Sequence, residues 1–255
     1  MDGRFNMNSY KKLCTEFYDI DKPSAPEDAL AFYLRYAQQA NGPILEPMCG
    51  SGRFLIPLLK HGFDIDGIDA SPYMLDACRN NCRHHRVTSM LYEQFLHELE
   101  LPRQYNLVII PAGSFCLITE PGQVQESLRR IHAHMLSGAK FVLEIERIMM
   151  QSSNAGLWSG RWVERADGAK IICSGLEHFN VEERISQNIH RYELIRDGEL
   201  LETEFEEFNI RLYDPVEFHE LLDTSGFVGI KVQKPYSLIV SAETAETIVF
   251  ECSKT

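Results

Sequence analysis

No stretch of this chain approaches the roughly 18 consecutive apolar residues of a membrane-spanning helix, and Met1-Asp2-Gly3-Arg4-Phe5-Asn6 has no signal-peptide core. The cytoplasm is therefore the expected location, and no membrane partner is expected. Basic charge is scarce too: 25 Lys and Arg stand against 37 Asp and Glu, a formal net charge of −12. Polyanion binding draws its affinity from clustered cations, so this balance argues against nucleic acid as a partner. Arg79, Arg83 and Arg86 are only thinly spread over a predicted helix and its end. The seven cysteines are odd in number and scattered, which fits reduced thiols better than a disulfide framework. Internal repeats and low-complexity tracts are absent. What is present, 255 residues of which 44% are hydrophobic, suffices for one full α/β core plus an elaboration.

The richest segment is Ile44-Leu45-Glu46-Pro47-Met48-Cys49-Gly50-Ser51-Gly52-Arg53: a short apolar strand, an acid, then a glycine-rich turn. The apolar run Phe54 to Leu59 follows as a helix packed on a sheet. Gly50 and Gly52 allow the backbone to pass close to a ligand with no Cβ in the way. A phosphate-cradling loop would end in Gly-Lys-Ser/Thr, and Arg53-Phe54 stands there instead. A dinucleotide fingerprint would carry a third glycine where this chain has Leu55. The remaining reading is a cofactor with an amino-acid-like end.

These residues resemble the first motif of the class I S-adenosylmethionine-dependent methyltransferases, acidic-x-Gly-x-Gly-x-Gly, with Met48 at the first glycine and its side chain expected to point away from the cofactor. The resemblance implies a cofactor contact along Glu46, Met48, Cys49, Gly50, Ser51, Gly52 and Arg53. A second strand, Phe63 to Asp69, ends on an acid seventeen residues after Gly52, near the spacing of roughly 20 at which such an acid meets ribose hydroxyls. Ser71 and Pro72 then suit the start of a helix. By resemblance, Asp69 chelates the ribose diol beside Ala70, and Met74 packs beside adenine; the alternative for Met74 is plain core packing. A third strand, Ser89 to Phe95, places Gln94 and Phe95 where the family often has an acid and an apolar residue at the adenine, and Gln94 carries both acceptor and donors for that edge.

A fourth strand, Tyr105 to Ile110, runs into Pro111-Ala112-Gly113-Ser114-Phe115. By resemblance Pro111 lies at the methionine end of the cofactor and Ser114 and Phe115 meet the acceptor. Ser114 lacks the Gly-x-Ser-x-Gly elbow of a hydrolytic nucleophile. Trp158, Trp162 and Phe115 could form an aromatic wall around the acceptor, or the tryptophans could serve a core or a dimer contact. His178 is a further acceptor-site candidate. No catalytic base is assigned; Glu144, Glu146, His178, His190 and Tyr192 are the candidates. Cys78, Cys82, His84 and His85 are close in sequence, but structural zinc sites usually draw ligands from two segments, so no metal site is expected.

Residues 8–40 read as two helices split at Asp21-Lys22-Pro23-Ser24-Ala25-Pro26, with Tyr10 and Tyr18 either facing the cofactor or packing on the sheet. From 43 to 146 strands and helices alternate, which predicts a parallel sheet with helices on both faces. The expected fold class is α/β, a Rossmann-like seven-stranded mostly parallel sheet with an antiparallel β insert between strands 5 and 6. Residues 1–150 and 212–255 would form the core with its N-terminal helical cover. Residues 151–211 would form the insert, a substrate cover or the contact of a homodimer, with Asp197-Gly198 as a two-residue hairpin turn. The implied activity is methyl transfer from S-adenosylmethionine, leaving S-adenosylhomocysteine, to N or O of a small-molecule acceptor. Protein or RNA methylation, or a non-catalytic cofactor-binding regulator, are the alternatives.

Overall fold

Apolar runs that alternate with amphipathic helices between residues 44 and 146 build the central sheet. The structure, a computed structural model, describes residues 10–148, 156–234, 236 and 246–255. After α1 (Lys12–Asp21) and α2 (Glu27–Gln39) come β1 (Ile44–Pro47), α3 (Leu55–Lys60), β2 (Ile65–Asp69), α4 (Pro72–His85), β3 (Leu91–Glu93), β4 (Tyr105–Ile110), α5 (Pro121–Ala133) and β5 (Met135–Glu146). The chain returns to this sheet through α6 (Pro215–Thr224), β11 (Val228–Gln233) and β12 (Thr247–Ser253). The strand order is β11-β12-β5-β4-β1-β2-β3. β1 pairs in parallel with β2 and β4, and β4 with β5, whereas β12 runs antiparallel to both β5 and β11. This is the expected seven-stranded, mostly parallel sheet.

Helices cover both faces, so β1 is buried along its whole length, as parallel strands usually are. On one face Leu128 and Ile131 of α5 and Phe218 and Leu222 of α6 meet Phe141, Leu143 and Phe250. On the other, Phe32 of α2, Leu55 and Leu58 of α3 and Leu75 of α4 meet Ile44, Leu107 and Ile109. Helix starts follow local chemistry. Ser71, Glu120 and Asp214 each accept a backbone N–H of the following turn, and each is followed by proline. Helix α5 ends at Ala133, because the strand it feeds starts at once at Met135.

The insert is a separate five-stranded sheet of β6 (Ser159–Glu164), β7 (Lys170–Asn180), β8 (Ile185–Arg196), β9 (Glu199–Glu207) and β10 (Ile210–Arg211), antiparallel throughout. The turn between β8 and β9 has φ of 53° at Asp197 and 83° at Gly198, the left-handed pair that a two-residue hairpin requires. Residues 151–155 of the expected insert lie outside the described residues. The N-terminal helix α1 belongs with this sheet: Leu13, Cys14 and Phe17 pack on Ala169, Ile171, Tyr192 and Leu194.

Candidate active site

The strand order reverses between β1 and β4, with β2 and β3 on one side and β5 on the other. A crevice at the carboxyl ends of the strands is the usual consequence of such a reversal. Here it is a cavity of about 730 Å³, lined by the ends of β1 and β2, the loops after β3 and β4, the start of α1 and the segment after β9.

Glu46, the penultimate residue of β1, is 3% exposed. Its Oε2 has no hydrogen-bond partner among the described residues, although it borders the cavity. Burial drives its carboxyl well above the ordinary range, Arg53 opposes the shift and the nearby Asp69 adds to it. A buried acceptor without a donor is costly, so this atom is matched to a ligand that brings a donor or a positive charge. The Nε of Arg53 is likewise buried and unpartnered among the described residues, while its guanidinium lies 5.5 Å from the centroid of the Tyr18 ring.

The turn after Glu46 is held by backbone conformation. Met48 has φ of 58° and Gly50 of 55°, and the Cys49 N–H donates to the Ile68 carbonyl. Asp69, at the end of β2, reaches back to this turn: Oδ2 accepts the Gly50 N–H at 2.8 Å and Oδ1 the Ser71 N–H at 2.9 Å. The carboxylate keeps lone-pair capacity for a hydroxyl in the cavity. Burial pushes the Asp69 carboxyl up to about 6, with the backbone donors from Ser71, Gly50 and Ala70 pulling the other way.

Several expected residues take other places. Ser51 and Gly52 face α4 and not the cavity: the Ser51 carbonyl accepts from Asn81, and a Cβ on Gly52 would sit 2.8 Å from the Cys78 sulfur. Gly52 thus serves helix packing, and its φ of 90° reinforces the need for glycine. Met48, expected to point away, borders the cavity while packing on the core. Gln94 borders it as well, its amide held in both directions by the Glu100 backbone, at 3.0 and 3.1 Å, with one N–H and one lone pair left over. Phe95 stays at the rim, its ring 5.5 Å from that of His97. Pro111 is buried in the turn, and the following Ala112, with φ of 58°, takes its place at the cavity.

On the expected acceptor side, Ser114 lines the cavity but Phe115 does not, being fully buried against Phe218. Trp158 and Trp162 stand on the insert surface, 52% and 54% exposed, in contact with Arg191 and Lys170. His178 is exposed on β7. These three do not reach the cavity, so the aromatic wall does not form. Of the base candidates, Glu144 is enclosed by the hydroxyls of Tyr33 and Tyr236, at 2.6 and 3.2 Å. Glu146 lies against Gly113 with its carboxyl raised by burial. His190 stacks on Phe208 behind the cavity wall, and burial lowers its ring below the ordinary value. Tyr192 is buried under α1, its hydroxyl 3.4 Å from the His190 Nδ1. Cys78 and Cys82 are buried in α4, and His84 and His85 are exposed at its end.

Tyr10 and Tyr18 both line the cavity, and Tyr10 is fastened there. Its carbonyl accepts the Ser71 hydroxyl at 2.6 Å, and its N–H donates to Glu206 of β9 at 2.9 Å. Sequence reasoning missed Glu206 and the adjoining Glu207, Phe208 and Asn209, which roof the cavity. The available signal was the alternation Glu202, Glu204, Glu206, which puts three carboxylates on one strand face, where they pair across to Leu194, Tyr192 and His190 of β8.

Residues 44–138 match a family model described as a methyltransferase domain. A methyltransferase-named protein from Geobacillus is 29% identical over 121 residues, covering 46% of this chain and 49% of that relative, so the match spans about half of its length. A Clostridium acetobutylicum S-adenosylmethionine-dependent methyltransferase superposes with a TM-score of 0.76 at 16% identity, covering 95% of this chain and 98% of that one. A sugar N-methyltransferase from Streptoalloteichus does so with a TM-score of 0.77 at 14% identity, covering 100% and 97%. Among the described residues no helix is long and apolar enough to cross a membrane.

Proposed function

We propose that this chain, a class I S-adenosylmethionine-dependent methyltransferase by domain and fold, holds its cofactor in the β1–β4 cavity and methylates N or O of a small molecule under the 207–209 roof. The observation that carries the reading is the pair of acids at the ends of β1 and β2. Asp69 offers two anchored oxygens to a diol, and Glu46 offers an unpartnered buried oxygen to a cationic amino group. Gly50, with no heavy atom nearer to a built Cβ than the Met74 sulfur at 3.8 Å, leaves room along the turn.

The bound cofactor supplies a methyl group already activated on a sulfonium. The chain's work is then placement: an acceptor lone pair must be held within about 3 Å and in line, in a cleft that sheds water. Tyr10, Tyr18 and Phe208 provide the apolar cover, and Glu46 and Asp69 orient the two ends. A small acceptor is supported by a roof confined to a short segment, by the net charge of −12, and by likeness to a sugar N-methyltransferase. Calorimetric titration with S-adenosylhomocysteine tests the cofactor site: micromolar binding is expected, and no binding by folded protein would overturn it. A screen of amines and hydroxyl compounds with labelled S-adenosylmethionine then tests the acceptor class.

A further inference from the structure

We propose that Glu206 is a positioning residue that fastens Tyr10 over the cofactor cavity and so couples the insert to cofactor binding; this rests on the cofactor reading above. Glu206 is 2% exposed, and its two oxygens accept the N–H groups of Tyr10, at 2.9 Å, and Lys11, at 2.6 Å. Those N–H groups stand at the entry to α1, where no side chain of the segment itself caps the helix. Placing a carboxylate there satisfies orphan donors and favours the positive end of the helix dipole. Tyr10 has φ of 57°, a left-handed conformation that a bulky residue keeps only when its surroundings impose it. From the other side, the Tyr10 carbonyl accepts the Ser71 hydroxyl, two residues after Asp69. The strap is thus tied at one end to the insert and at the other to the cofactor-facing end of β2.

Glu204 provides an internal contrast. It accepts the N–H groups of Leu13 and Cys14, at 3.3 and 3.1 Å, and so caps the same helix without touching Tyr10. The residues that follow Glu206 in the chain, Glu207 to Asn209, are the cavity roof, and the Phe208 ring lies 5.4 Å from that of Tyr10. Displacing the Glu206 carboxylate therefore disturbs strap and roof together.

The test compares Glu206→Gln, Glu206→Asp and Glu204→Gln in the full chain. Glutamine keeps the volume but presents an amide donor to one of two backbone donors. Glu206→Gln is expected to weaken S-adenosylhomocysteine binding about tenfold and to raise KM for the cofactor with kcat less affected. Glu206→Asp, which keeps both acceptors, should recover most of that loss, and Glu204→Gln should bind within about threefold of the parent. Equal losses in Glu204→Gln and Glu206→Gln would overturn the proposal by assigning the effect to helix stability. Amide hydrogen exchange of the cofactor-free proteins reads the strap independently: Tyr10 and Lys11 should exchange faster in Glu206→Gln than in Glu204→Gln. Unchanged exchange would refute the strap even if the parent bound no cofactor, whereas faster exchange in a parent that binds none would refute only the cofactor reading.

Discussion

The core sheet holds a half-buried carboxylate, Asp69, and the insert a buried one, Glu206, each accepting backbone N–H groups, yet they find their partners over very different lengths of chain. Asp69 reaches Gly50 and Ser71, 19 and 2 residues away, within the β1–α3–β2 unit and the turn that follows it. Glu206 reaches Tyr10 and Lys11 across 196 and 195 residues. The first arrangement forms once β1 and β2 pair, and every group in it is written in a recognisable local pattern. The second exists only after the insert sheet has docked against α1. A site assembled from both kinds of contact has a locally specified floor and a roof that depends on the complete tertiary fold.

Replacing the floor's acid should produce the largest effect. Asp69→Ala removes the anchor of Gly50 as well as the cavity-facing lone pairs, and is expected to reduce S-adenosylhomocysteine affinity on the order of 100-fold by calorimetry, about 3 kcal/mol. A loss no larger than that of Glu206→Gln would erase the distinction between floor and roof. Next in size is Gly52→Ala, which forces a Cβ to within 2.8 Å of the Cys78 sulfur at a φ of 90°. A destabilisation of about 2–3 kcal/mol is expected, seen as a melting temperature lower by ~5–10 °C. An unchanged melting point would mean that α3 and α4 can move apart without cost.

The acids also predict a pH dependence. Burial raises Asp69 to about 6, so protonation favours the folded, cofactor-free chain. That contribution to stability is complete below the unfolded value near ~3.9 and is lost as pH rises through about 6. A ligand whose hydroxyls donate to Asp69 prefers the carboxylate, so its affinity should fall as pH drops below about 6. Titrations at several pH values check this, and a flat profile would separate Asp69 from the ligand. The smallest effect belongs to the outer surface of the insert: Trp162→Ala, at a side chain 54% exposed, should change stability by no more than ~0.5 kcal/mol in chemical denaturation. A much larger loss would show that this surface is covered in solution.

The floor of the cavity was legible because its chemistry is local. Glu46, Gly50 and Asp69 sit in the strand–turn–helix units that the sequence pattern indicates, and Ser71 and Pro72 start α4 as their residue types predict. Misplacements arose where a side chain's direction depends on remote packing. Phe115 turns into the core because α6 supplies Phe218. Trp158 and Trp162 lie outside because β6 pairs with β7 at the far side of the insert from β9. An aromatic residue's hydrophobicity says that it seeks a neighbour, but not which one.

Taken alone, the sequence determined the alternation of strands and helices between residues 43 and 146, the glycine turn, the hairpin at Asp197-Gly198 and the acids at the ends of β1 and β2, because periodicity, capping and left-handed backbone are properties of a few adjacent residues. The tertiary structure decided that α1 packs on the insert, that Gly52 spaces two helices, and that Glu206 holds Tyr10 over the cavity. Those depend on which surfaces meet after the chain has folded, and a hydrogen bond spanning 196 residues leaves no mark on the local pattern at either end.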